Sequence, residues 1–476
     1  MGLRRADVSF WLNRFVLLLG VLLALLLVLM FIGRTLIPTP EQREALALMT
    51  QPSPPQEGSA WPALRLLGYD LDPEQQEAAW AAEWHALLAY EDALRTHMAG
   101  TLQAPGAAGS DNPPPTFESP LTSFAERIEL RDLPQLECIR APGGCSADGV
   151  KQLDTLATQW AAHPALRERL RALADTAHSN IPEDIPTVTM LGMPPSVLPI
   201  TLLLTDAALL WGDYPIAGLA LGCRLHAAGQ RHAQAANHLI TRSMAQRLMR
   251  DSAHLTADLL ALADPSFALP SDCQQLIESP GAELSNLCTT MQGEFRLTQA
   301  FDTLVLDGAP HHSRGFNPES LLRSPELEVH LRAGAFAPYC QPDLQAQAAS
   351  DRPIEPGRSE STTWPERLQC LSAIASCTFA SMLTEGMQAP MHASYLGRAQ
   401  DDAAMSELFS ASLALRQPAL RGEDLRAAVA GLNARREGRR PILLAADQRS
   451  ISIELREPRQ PTERNWLPLV SAQPSS

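Results

Sequence analysis

The stretch LLWGDYPIAGLALGCRLHAAG, residues 209–229, carries the organising pattern of the chain. Two apolar runs flank Gly212-Asp213, a pair suited to a turn, and Pro215 stands where the first position of a helix tolerates a residue without an N–H. The spacing predicts a helical hairpin, 201–211 against 215–229. Upstream, IPEDIPTVTMLGMPPSVLPI (181–200) holds too many prolines for a continuous helix and reads as a connection. Downstream, one long helix is expected over about 233–263, then shorter ones near 272–278, 282–306, 318–335, 364–386, 403–415 and 421–433. The expected fold class is mostly α, an array of helical hairpins.

The same periodicity extends towards the N-terminus. Asp72 is a good cap, Pro73 suits the first helical position and Gly100 can end the helix, with Trp80, Trp84, Leu87, Leu88, Leu94 and Met98 near one face as core. Residues 104–120, APGAAGSDNPPPTFESP, form a Pro-rich loop. A helix over about 148–162 and another beginning at His163-Pro164 make a further hairpin. Only the C-terminus changes period: Ile451, Ile453 and Leu455 alternate with Ser450, Ser452 and Glu454, which is strand spacing. Asp447 to Arg449 can turn this strand back on Pro441 to Ala445, and the hairpin needs the helical body for support because two strands alone are marginal in water.

Phe15 to Ile32, FVLLLGVLLALLLVLMFI, is eighteen residues without a charge or a proline. At roughly 1.5 Å per residue it makes about 27 Å of helix, close to the hydrocarbon thickness of a bilayer. Arg4, Arg5 and Arg14 precede it, which places residues 1–14 in the cytoplasm with Trp11 near the headgroups and everything after Gly33 outside. The run leaves as GRTLIPTPEQ, with no A-x-A pattern, so an uncleaved signal anchor is expected rather than a cleaved signal peptide. The expected division is therefore 1–14 cytoplasmic, 15–32 transmembrane, 33–70 a stalk with a short helix at 41–50, 71–180 a first helical subdomain, 181–200 a connection, 201–436 the main helical domain, and 437–476 a β-hairpin and tail. The expected location is the bacterial inner membrane, with the bulk of the chain in the periplasm and the lipid bilayer engaged through 15–32.

Charge and composition narrow the chemistry. The chain carries a net charge of −15, and with +2 before residue 34 the outer part carries −17, which argues against binding to nucleic acid. Lys151 is the only lysine and follows no glycine and no S-x-x, which removes P-loop and penicillin-binding chemistries. Eight cysteines, Cys138, Cys145, Cys223, Cys273, Cys288, Cys340, Cys370 and Cys377, all fall on the outer side, where an even number reads as disulfides. Cys138 with Cys145 is the best pair, since IRAPGG between them can close a short loop, and Cys273 with Cys288 is plausible across Ser279-Pro280-Gly281. Cys370 and Cys377 on one continuous helix stand about 10.5 Å apart along its axis, beyond disulfide reach, so their partners are sought elsewhere, with Cys340 and Cys223 left over. No metal-ligand spacing and no cofactor motif occurs.

Candidate chemistry is sparse. Histidines 226, 232 and 238 recur every six residues, about 600° of helix, so their rings point apart unless the helix breaks at Gly229. His311 and His312 sit in DGAPHHSRGFNP, the densest polar cluster in an irregular stretch, and Glu294 in QGEFR is a possible acid. No G-x-S-x-G or paired-carboxylate pattern nominates a hydrolase.

The phrase around Trp211 resembles one tetratricopeptide-type unit in its W-G-x-Y and small-residue spacing, unrepeated elsewhere. QGEFR (292–296) and a closing hairpin preceded by NARREGRRPI are similar to a loose group of uncharacterised bacterial single-pass inner-membrane proteins with a helical periplasmic region. In that group the closing segment looks like the tail of secretion pseudopilins, whose Asp-Pro-Phe stretch this chain lacks. The resemblance implies an anchor and a helical outer region and brings no activity. The expected function is a protein-interaction or scaffolding role with an envelope partner. The alternatives are an envelope hydrolase using the His311/His312 loop and a periplasmic immunity or inhibitor protein.

Overall fold

The computed structural model describes residues 5–35, 37–52, 57–103, 113–141, 143–181, 198–264, 266–278, 282–307, 324–354, 364–381, 389–436, 438–457 and 463–470. The chain is mostly helical, with a small three-stranded antiparallel sheet near its C-terminus. It divides into two compact units, each discontinuous in sequence: Met1–Gln51, His311–Pro338 and Glu355–Ala393 form one, and Pro52–Pro310, Tyr339–Ile354 and Ser394–Ser476 the other.

In the larger unit the predicted hairpin is central. Leu198–Asp213 is buried on every side through Leu209, a mostly apolar stretch interrupted by Thr201, Thr205 and Asp206, and Pro215–Ala235 returns along it. Leu239–Leu262 packs along Pro215–Ala235 in turn. These helices approach closely because a side chain at Gly218 would collide with the backbone of Trp211, and one at Gly229 with that of Met249. Helix ends in this core lack water to satisfy their carbonyls, and buried arginines take its place. Arg242 donates to the carbonyls of Ala233, Leu284 and Asn286, and Arg416 to those of Leu260, Ala263 and Asp264. Leu153–Trp160 and Pro164–Ala172 pack on the central helix, where Asp206 is held between Arg167 and Arg171.

The sheet has the order β1 (Leu443–Leu444), β2 (Ser450–Ser452), β3 (Trp466–Pro468). Leu444 faces Ile451 and Ile451 faces Leu467, so the strand-period residues Ile451, Ile453, Leu467 and Leu469 all point into the helical core. β1 and β2 are the expected hairpin, and β3 is a third strand within the segment expected only as a tail.

In the smaller unit Arg5–Thr35 is one helix, of which Arg14–Thr35 is long and apolar enough to cross a membrane. Pro40–Met49 follows with a capping box between Thr39 and Gln42. Pro325–Phe336, capped by Ser324, packs on it, and His330 Nδ1 donates to the Gln42 carbonyl at 3.1 Å. Trp364–Ser372 and Ile374–Ser381 complete the unit, with the buried amides of Gln42 and Gln369 bonded to each other.

Several expectations are corrected. The helix expected over 233–263 is two helices, broken over 236–238, and that over 364–386 is broken at Ala373. The second break folds Cys370 onto Cys377, 5.4 Å apart at Cα, so the pair excluded on a straight helix is a disulfide. Cys273 bonds Cys223 because Ser271–Glu278 packs on Pro215–Ala235, and Cys288 bonds Cys340, so the Cys273–Cys288 pairing is wrong. Cys138–Cys145 is bridged as expected. Within residues 33–70 the expected short helix is present as Pro40–Met49, but the stalk also holds Trp61–Leu66, and Ala60 and Leu67 are buried in the core of the larger unit.

Candidate functional site

The arrangement closest to catalytic chemistry lies at the centre of the larger unit, where three helices meet. His226 Nδ1 stands 2.8 Å from the Met249 carbonyl and must donate to it, which leaves Nε2 to accept from Ser406 Oγ at 3.1 Å. That is the tautomer a serine nucleophile needs. Two observations make it structural instead. Both residues are fully buried, and Gln230 Nε2 donates to the same Oγ at 2.6 Å. Burial holds the His226 ring neutral, its pKa lowered to about 4, with Phe409 against the ring at 4.7 Å. The triad of side chains ties Pro215–Ala235 and Leu239–Leu262 to the helix carrying Ser406.

The other histidines of the six-residue series do not converge on it. His232 bonds Thr176 and is likewise lowered to about 4 by burial. His238 lies in the break after Ala235, its Nδ1 3.9 Å from Glu294. Glu294 itself accepts the Leu239 N–H at 2.6 Å and so caps the helix that begins there; burial raises its pKa. Beside it, a side chain at Gly293 would collide with the Asn237 carbonyl, and Phe295 is fully buried. QGEFR is thus a packing and capping motif, and Glu294 serves as a cap where sequence nominated an acid. His311 and His312 lie outside the described residues.

A second polar cluster was not anticipated. Asp351, Asp401 and Glu407 are met by Arg436, Arg439, Arg440 and Arg456. Arg440 spans both aspartates, bonding Asp351 at 2.8 Å and also the Gln400 carbonyl at 2.9 Å. Asn433 closes the segment by bonding both the N–H and the carbonyl of Ile442 at 2.9 Å. NARREGRRPI is therefore the seam along which the segment leading into the sheet joins the helices. Nearby, Asp402 is fully buried against Arg250, and burial pushes its carboxyl up to about 6 against the pull of Arg250 and Arg242. The arginine density at 435–440 was the available signal; the acidic partners, 29 to 89 residues away, carry none.

The surface offers a different kind of site. At the turn between Leu198–Asp213 and Pro215–Ala235, residues 212–217 are all exposed, with Tyr214 at 67% and Ile216 at 62%. The tip joins two largely buried helices. Among the described residues no group of three His, Cys, Asp or Glu side chains is placed to hold a metal ion. Comparison with known protein families, curated proteins and solved structures gives no match.

Proposed function

We propose that this chain is a single-pass protein of the bacterial inner membrane, with its N-terminus in the cytoplasm and its helical body in the periplasm, and that it works by holding a protein partner in the envelope. The apolar helix and the arginines before it support the placement, as do four disulfides, which persist in oxidising compartments. The observation that carries a binding role is the tip Tyr214-Pro215-Ile216: tyrosine and aliphatic side chains presented to solvent on a rigid hairpin have the composition of an interface anchor. The polar clusters support the same reading, since Ser406, His226 and Glu294 are engaged in holding helices together.

A photo-crosslinking residue at position 214, expressed in cells, tests this against the same residue at the exposed Glu168. The expected result is a discrete protein adduct at 214 that disappears with Ile216→Asp and has no counterpart at 168. Equal adducts at both positions, or none at 214, overturn the proposal.

A further inference from the structure

The helix pair 364–381 of the smaller unit buries polar side chains while exposing large apolar ones. In Trp364–Ser372 and Ile374–Ser381, Gln369, Ser372 and Ser376 are fully buried, Gln369 bonding Gln42, Ser372 the Gln369 carbonyl, and Ser376 both Glu328 and the Ser324 backbone, whereas Trp364 is 69% and Ile374 50% exposed. The exposed residues are Trp364 and Arg367 on the first helix and Ile374 and Thr378 on the second, with Leu371 half-buried just before the join at Ala373. The Cys370–Cys377 disulfide fixes the two short helices to each other.

The position of these exposed residues follows from what Trp364–Ser372 packs on. A side chain at Gly33 would collide with the Leu368 carbonyl and with Ser372, so the two helices touch there without a spacer. One turn earlier Leu29 and Met30 are half covered, while the apolar residues from Phe15 to Val28 stand exposed. Leu29 to Gly33 is about 6 Å of helix, and the apolar run ends only at Ile32. The contact therefore lies on the last turn of the membrane-spanning stretch. A helix seated there meets the headgroup and upper acyl region, where tryptophan collects and arginine extends its charge towards phosphate.

We infer that the disulfide-closed helix pair 364–381 lies in the outer leaflet of the membrane, its exposed Trp364 and Ile374 in contact with lipid. This rests on the anchor reading above. It is tested with the full-length protein reconstituted in phosphatidylcholine vesicles that contain lipid brominated close to the headgroup, which quenches only tryptophans at that depth. Wild type is compared with Trp364→Phe and, as a check on the anchor, Trp11→Phe. The expected result is that each variant loses one tryptophan's share of the quenchable emission. If Trp11→Phe lowers the quenching and Trp364→Phe leaves it at the wild-type level, Trp364 is covered by protein or faces water and the inference fails while the anchor stands. If neither tryptophan is quenched, the anchor reading fails and the inference with it.

Discussion

Glu294, His226 and Asp402 show how single side chains hold this fold, and each leads to a measurement. Glu294 replaces the missing partner of the Leu239 N–H, a buried helix start. Glu294→Ala is expected to cost about 1 kcal/mol in chemical denaturation, the usual value of a lost cap, and Glu294→Gln, which keeps an acceptor, clearly less. The titrating groups oppose one another. His226 and His232, each lowered from 6.5 to about 4, stay neutral in the folded chain while the unfolded chain takes up protons, so they withdraw stability as pH falls from 6.5 towards 4. The ceiling is about 3 kcal/mol each. Asp402, raised from 3.8 to about 6, acts in the other direction: its contribution is full below 3.8 and is lost as pH rises through 6, on the order of 3 kcal/mol. Guanidinium midpoints at pH 7 and 4.5 are expected to show a net acid loss in wild type and a larger one in Asp402→Asn. An acid loss unchanged or reduced by that substitution contradicts the assignment.

At the scale of elements, the seam formed by NARREGRRPI is the most exposed to disruption. Arg440 neutralises two carboxylates that are largely removed from water, so Arg440→Met leaves both without their shared partner; a loss of about 3–5 kcal/mol is expected. Limited proteolysis of the variant is expected to cut around 441–457 before the helices, and wild-type resistance there contradicts the role assigned to the seam. The elements also show where sequence was sufficient. Gly212-Asp213 and Pro215 are local signals, and the hairpin they punctuate is present with helices a few residues longer than expected. The break over 236–238 has no glycine or proline to announce it. It is held open from elsewhere in the chain, by Thr290 on the Ala236 carbonyl, Asn180 and Ile181 on Asn237, and Glu294 on Leu239. Cys370–Cys377 failed for the same reason, since a helical period was extended through a residue where the helix stops. The buried histidine–serine contact joins positions 180 residues apart, and no local pattern encodes it.

For the whole molecule, two discontinuous units share one chain, and each closes its own disulfides: Cys370–Cys377 in the smaller and three pairs in the larger. Peptide mapping without reduction is expected to recover those four pairs and no Cys273–Cys288 peptide. The proposed placement of the body outside the cell membrane underlies the proposed partner and accords with the disulfides, and the composition provides a probe for it. Lys151 is the single lysine of the chain and is exposed. Treatment of intact spheroplasts with a membrane-impermeant amine reagent is therefore the most direct test: the account predicts that Lys151 is modified to the same extent before and after detergent lysis, and modification only after lysis would contradict it.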